Sequence, residues 1–236
     1  MKVAVLNYSG TVGKTTVAAH LLSPRMNKAP VFAIETINET VDGFGINVHQ
    51  IKGKNFRDLF NKLTMLDDAI IDIGASNIEA FLDGMVKFED SHIEFDCFII
   101  PVTSDDKVLK ETIRMVEVLS SFGIPAEKIK LIFNRVEAEV IEEFGPLLNY
   151  SKKDKKCTAN PKAGIFENEL FGMLANKGIT ISDALADDTD YKAKAREANQ
   201  AGDTKMVTKY TDMFAIKALS KNVNRNLDAV FAELFN

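Results

Sequence analysis

Lys2-Val-Ala-Val-Leu-Asn7, followed without a break by Tyr8-Ser-Gly10-Thr-Val-Gly13-Lys14-Thr15-Thr16, is the stretch on which the fold turns. The short apolar run predicts a buried strand, and helical spacing of apolar residues begins at Val17. A Gly-Lys-Thr therefore sits on a strand-to-helix turn, the arrangement of a phosphate-binding P-loop. Residues Gly10, Thr11, Val12, Gly13, Lys14, Thr15 and Thr16 would wrap the phosphates, with backbone N–H groups and the helix N-terminus facing negative charge. Lys14 would reach the β and γ phosphates, and the Thr15 hydroxyl would ligate Mg²⁺. The full pattern is G-x-x-x-x-G-K-[ST], and its first glycine falls on Tyr8.

The remaining composition narrows the classes. With 46% hydrophobic and 27% charged residues over 236 positions, the chain can bury a sizeable core. One domain spanning 1–236 is expected, with a nucleotide-binding core at 1–150 and a basic loop plus mainly helical region at 151–236. A net charge of −5 argues against a surface that coats nucleic acid throughout, but leaves room for a local basic patch. Cys97 and Cys157 stand at unrelated spacing, which suits a reducing cytoplasm rather than a disulfide framework. His20, His49 and His92 share no ligand spacing. The N-terminal apolar run is too short for a signal peptide, and no stretch reaches the roughly 20 apolar residues of a membrane helix.

Strand and helix signals then alternate. Strands are expected at Val31–Glu35, Asp68–Ile73, Asp96–Val102, Lys130–Asn134 and Lys162–Phe166. Helices are expected at Asn55–Leu66, from Ser76 or Asn77 to Phe88, at Asp105–Phe122 and at Val136–Leu148. Thr36–Gly53 reads as mostly loop, and Lys152–Lys156 as an exposed basic loop. Continuous apolar strands separated by helices predict an α/β fold with a mainly parallel sheet covered on both faces. Beyond Asn168 the pattern is helical, broken at Gly178, Asp187–Asp190 and Gly202. A last helix, Asp212–Phe235, carries Phe214, Leu219, Val223, Leu227, Val230 and Leu234 on one stripe suited to packing on the parent domain.

A phosphate site of this kind needs a second carboxylate for Mg²⁺ or its water shell. Asp72, ending Ala69-Ile-Ile-Asp72, has that context, with Gly74 two residues on. Glu35, ending the second strand, is a candidate for action through water on Mg²⁺. Asn134, followed by Arg135, is placed to hydrogen-bond a purine edge, and Phe166–Glu169 to close over the base. Asn134-Arg-Val-Glu137 departs from a guanine-reading N-K-x-D because Glu137 replaces the aspartate.

Taken together, Gly10–Thr16, Val31–Glu35, Ala69–Asp72, Phe98–Val102 and Leu131–Arg135 resemble the ParA/MinD group of deviant-Walker P-loop ATPases. Asn7–Thr16, Leu21–Arg25 and Glu35–Asn38 are similar to its plasmid-stability StbB-type branch. The resemblance covers roughly residues 1–136. It implies a three-layer α/β/α fold, ATP and Mg²⁺ as ligands, and a homodimer formed with nucleotide. It further implies a DNA-bound adaptor protein that stimulates hydrolysis, and attachment to non-specific DNA or a membrane. Two departures bear on catalysis. Ser9 stands where the group has a signature lysine, and Ile37 where it has an acid that positions water. An oriented charge at such a transition state is worth about 10³–10⁵ in rate. The expectation is a slow ATPase of plasmid partition that switches with nucleotide; the alternative is an essentially non-catalytic, nucleotide-gated adaptor recruiting a DNA-bound partner.

Lys217, Lys221 and Arg225 recur every four residues on the last helix, and are candidate contacts to a DNA backbone. The helix is not basic enough on its polar face to read as a membrane-targeting segment.

Overall fold

Seven strands, buried on both faces at the centre, organise the molecule. In a computed structural model, described over residues 1–27, 29–35, 48–52 and 55–235 (backbone alone at Glu35 and Lys52), all the strand pairings are parallel. The strands are β1 (Lys2–Val5), β2 (Val31–Glu35), β3 (Val48–Lys52), β4 (Ala69–Ile73), β5 (Cys97–Val102), β6 (Ile129–Val136) and β7 (Gly164–Phe166). Their order is β3-β2-β4-β1-β5-β6-β7. The chain turns in opposite directions on the two sides of β1, which opens a crevice beyond the carboxyl ends of β1 and β4.

Helices cover both faces, giving three layers. Lys14–Thr16 and Val17–Leu22 together form α1; α2 is Phe56–Leu63, α3 Ile78–Lys87, α4 Asp106–Ser121, α5 Val140–Glu143 and α6 Gly145–Asp154. The C-terminal helices are α7 (Leu170–Lys177), α8 (Ile181–Ala186), α9 (Tyr191–Gln200) and α10 (Thr204–Phe235). Strand side chains alternate between two cores. Ala4, Phe98 and Ile100 face α2 to α6, where Phe56, Phe81, Phe133 and Phe144 pack. Val3, Val5 and Ile99 face α1, α7, α8 and α10, meeting Leu21, Leu174, Ile216 and Leu227.

Several boundaries differ from expectation, each for a physical reason. Val48–Lys52 is an edge strand rather than loop; it pairs with β2 alone, and exposed His49 and Gln50 break the apolar run between Val48 and Ile51. The rest of the presumed loop, 36–47 and 53, lies outside the described residues. The helix expected over Val136–Leu148 is instead the end of β6, then α5 and α6, with Pro146 in the first turn of α6. Three residues of the presumed basic loop, Lys152–Asp154, finish α6, and left-handed Lys155 ends it. Neither Asn55 nor Asn77 makes a side-chain capping bond, whereas Asp105 accepts from Lys107 and Val108 N–H. The last helix begins at Thr204, not Asp212. Its buried stripe takes in Ile216 and Ser220 and leaves Phe214 49% exposed.

Beyond the shared apolar core, the Arg25 side chain just past α1 ties that helix to α10. The turns of Val17–Leu22 are wide, with Ser23 N–H donating to Ala18 O at 2.9 Å. Arg25 Nη1 donates to His20 O at 2.9 Å and Leu21 O at 3.1 Å. Its Nη2 donates to Asn224 O, Asn224 Oδ1 and Asp228 Oδ1 at 3.1, 2.8 and 2.7 Å. Asp228 is largely exposed and its ion pair adds little, so the bonds to the carbonyls carry the effect. Arg25→Met keeps the stem and removes those donors, and is expected to lower the unfolding free energy by about 2–3 kcal/mol. Urea denaturation would show this as a lower midpoint with an unchanged slope.

Candidate nucleotide-binding site

The loop after β1 is anchored before it turns. Asn7, fully buried, donates from Nδ2 to Pro101 O at 2.9 Å and to Thr112 Oγ1 at 2.8 Å, fastening the strand end to β5 and α4. Tyr8, at the position of the absent glycine, is half-buried with the Arg114 guanidinium 4.6 Å from its ring centre. Burial, with Glu79 nearby, raises its phenol above the usual range. Gly13 adopts φ +86°, and Val17 N–H donates to its carbonyl at 2.9 Å. Helical bonding thus begins at Gly13, and the first-turn amides from Lys14 onward have no intrahelical acceptor.

Lys14 and Asp72 come from opposite sides of the crevice. Asp72 pairs in register with Val5, which sets the end of β4 beside the loop. Thr15 Oγ1 donates to Asp72 Oδ2 at 2.7 Å. The other oxygen, Asp72 Oδ1, is buried and has no hydrogen-bond partner among the described residues. Burial pushes the Asp72 carboxyl up to about 6; the Thr15 bond and the Lys14 charge pull against that. Lys14 is buried, and its Nζ donates to Ser9 O at 2.6 Å and Asn7 O at 3.2 Å. These groups border a hollow of about 520 Å³, lined by Gly10, Thr11, Gly13 through Thr16, Asp72, Gly74 through Ser76, and Arg135. A hydroxyl and a buried carboxylate, both hard oxygen donors, suit Mg²⁺ or its water shell. Thr15 and Asp72 are the residues that would hold it.

A second hollow of about 330 Å³ adjoins the first and shares Gly13, Thr16 and Arg135 with it. Asn134 and the Phe166–Glu169 segment complete its wall, together with Phe171 and Gly172, which the sequence pattern did not single out. Arg135 lies at a bulge between β6 and β7 with φ +55°, which aims its side chain at both hollows. Its Nε stands 3.9 Å from Glu167 Oε2.

The structure revises the roles of some expected residues. Asn134 is buried and its Nδ2 donates to Val12 O at 2.8 Å, which ties the loop to β6, while Asn134 also lines the second hollow. Val12 itself is fully buried in the core and does not line the hollow. The side chain of Glu35, and residue Ile37, lie outside the described residues. Lys217, Lys221 and Arg225 lie far along the chain on α10, and none lines either hollow. Lys217 Nζ donates to Asp187 O, and Arg225 Nη2 to Asn222 Oδ1 at 3.2 Å.

Among the described residues no helix is long and apolar enough to cross a membrane. No protein-family model and no curated protein matches the chain. Solved structures do. MinD, a cell division protein of Aquifex aeolicus, is similar at 15% identity and a TM-score of 0.51, over 80% of this chain and 90% of that one. A McdA–ATP complex from Cyanothece is similar at 18% identity and a TM-score of 0.50, over 77% and 89%. A chain of an Aquifex aeolicus MinC:MinD cell division protein complex is similar at 13% identity and a TM-score of 0.51, over 77% and 88%. At these identities the likeness establishes the fold, a parallel sheet between helical layers as in MinD and McdA.

Proposed function

We propose that the chain is a nucleotide-dependent switch of the ParA/MinD type, which binds ATP with Mg²⁺ and hydrolyses it slowly. The observation that carries this reading is the Thr15–Asp72 pair. A P-loop hydroxyl bonds a buried carboxylate whose other oxygen has no partner among the described residues, at the rim of a hollow bordered by Lys14 and the first-turn amides. The MinD and McdA fold supports it, and the neighbouring McdA structure holds ATP.

Slow turnover follows from what the loop lacks. Ser9 has no charge to offer a partner's phosphates, and its carbonyl accepts from Lys14. The resemblance to the plasmid-stability branch suggests a role in plasmid partition. In that role a nucleotide-bound homodimer would be read by a DNA-bound adaptor, with Lys217, Lys221 and Arg225 as candidate direct contacts to DNA. The non-catalytic adaptor reading differs only in turnover. Phosphate release measured with and without DNA and a candidate adaptor separates the two: hydrolysis supports the switch, and binding without release supports the adaptor.

Binding itself has a simpler test. Lys14→Ala removes the cation that would bond the phosphates, and is expected to weaken Mg·ATP binding by about 2 kcal/mol, roughly thirtyfold. Titration calorimetry of the parent and the variant checks this. Equal affinities would remove the P-loop from the binding site.

A further inference from the structure

The charge of the chain is unevenly placed. Residues 191–225, comprising α9 and most of α10, hold eight Lys or Arg against three Asp or Glu, a net of +5. The chain as a whole carries −5, so the other 201 residues carry −10. α9 and the first half of α10 form an antiparallel pair around Gly202, whose φ is +72°. This pair is thinly covered: Ala198 is the one buried residue of α9, and α10 has none before Ile216.

Two adjoining hollows, of about 460 and 270 Å³, share Tyr191 and Phe214 and run along this pair. Ala195, Val207 and Ala218 extend the apolar floor. Phe214 and Phe166 are the exposed phenylalanines among the described residues, and Phe166 belongs to the nucleotide site. Four cations border the floor, Lys192 and Arg196 from α9 and Lys217 and Lys221 from α10. The groove is preformed at one end. Tyr191 OH donates to the Asp187 carboxylate, Lys217 Nζ to the Asp187 carbonyl, and Asp190 caps α9 through Ala193 N–H at 2.9 Å. Side chains held in place this way lose less entropy on binding.

We propose that the α9–α10 groove docks an acidic, amphipathic helix of a partner protein. An aromatic floor between rows of cations matches a helix with an apolar stripe flanked by carboxylates. Duplex DNA would find the same cations. However, it has no apolar stripe for Phe214 and Ala195 to meet. The inference does not rest on nucleotide binding.

A displayed library of random helical peptides, panned against the full chain, tests it. Enriched sequences should combine glutamate or aspartate with leucine or phenylalanine at helical spacing. Their affinity, read by fluorescence anisotropy, should fall at least tenfold in Phe214→Glu and again in Lys221→Glu, and should weaken as salt rises. Both residues are exposed, and circular dichroism melts would confirm that the variants fold. Lys14→Ala should bind the peptides as the parent does, so failure of the nucleotide reading leaves this result standing. Basic or uncharged winners, or binding indifferent to both substitutions, would overturn the proposal. So would Lys221-dependent binding of duplex DNA that displaces the peptides. Self-association lost in Phe214→Glu would overturn it too, by giving the groove to a second copy, whose own Glu137–Glu143 segment exposes Ile141.

Discussion

Asp72→Asn is expected to make the ligand-free protein more stable at neutral pH, by about 1–3 kcal/mol, while removing the gain in ATP affinity that Mg²⁺ confers. The two effects share one cause. The Asp72 carboxyl is nearly fully buried, and burial holds its pKa at about 6 against an ordinary 3.8. The folded protein therefore binds a proton more tightly than the unfolded chain does. Stability is lost as pH rises from about 4 to 6, and the cost is fully present above that. Asparagine keeps an oxygen to accept from Thr15 and carries no charge to desolvate. It also offers no anionic oxygen to a divalent cation, so the site becomes more comfortable and less useful.

The pH dependence distinguishes this cause from better packing. His20 is depressed to about 4, chiefly by burial, so its contribution rises with pH across nearly the same window. The parent's curve mixes the two opposing slopes. The difference between parent and Asp72→Asn cancels His20 and isolates the carboxylate. Urea titrations should give a difference near zero at about pH 4, growing to its full value by about pH 6.5. A difference constant across that range would mean that the charge of Asp72 is not what destabilises the parent. Titrating ATP with and without Mg²⁺ at neutral pH reads the functional half.

What the sequence revealed, and what it hid, follows from where each residue lies. β1, β4 and β5 are buried on both faces, so each carries a run of at least three apolar residues and is legible without the structure. β3 is an edge strand whose adjacent His49 and Gln50 are both exposed, so its pattern resembles a loop. The first two turns of α10 carry no apolar stripe because they face solvent and α9, so periodicity placed the start of the helix eight residues late. That Gly13, Lys14, Thr15 and Asp72 border one hollow is legible because the first three are adjacent and Asp72 follows an apolar run. That Phe171 and Gly172 line the second hollow is not, since they reach it only through the packing of α7. Asn134 shows the limit most clearly. Its position at a strand end was evident, but the partner of its amide, Val12 O, is 122 residues away.

Gly13→Ala should be among the most damaging single substitutions in the chain, and its interaction with Asn134 tells what Asn134 is for. At φ +86° an alanine costs about 1–2 kcal/mol in backbone strain. Its Cβ would also stand 2.3 Å from Asn134 Nδ2, which the bond to Val12 O holds in place. Together these should cost about 3–4 kcal/mol of stability. Nucleotide binding should fall more than a hundredfold, because the displaced turn is the one that aims the first-turn amides. Asn134→Ala alone removes a buried hydrogen bond and strands the Val12 carbonyl, a loss of about 1–3 kcal/mol. In the double variant the clash is gone and only the strain and the lost bond remain. The two costs should therefore sum to at least about 1 kcal/mol less than strict additivity, as contacting sites do. Additive losses would show that Gly13 is needed for its φ alone. Tripolyphosphate then separates the roles of Asn134: if its side chain holds the loop, Asn134→Ala weakens tripolyphosphate and ATP alike, whereas a base-reading side chain would weaken ATP only.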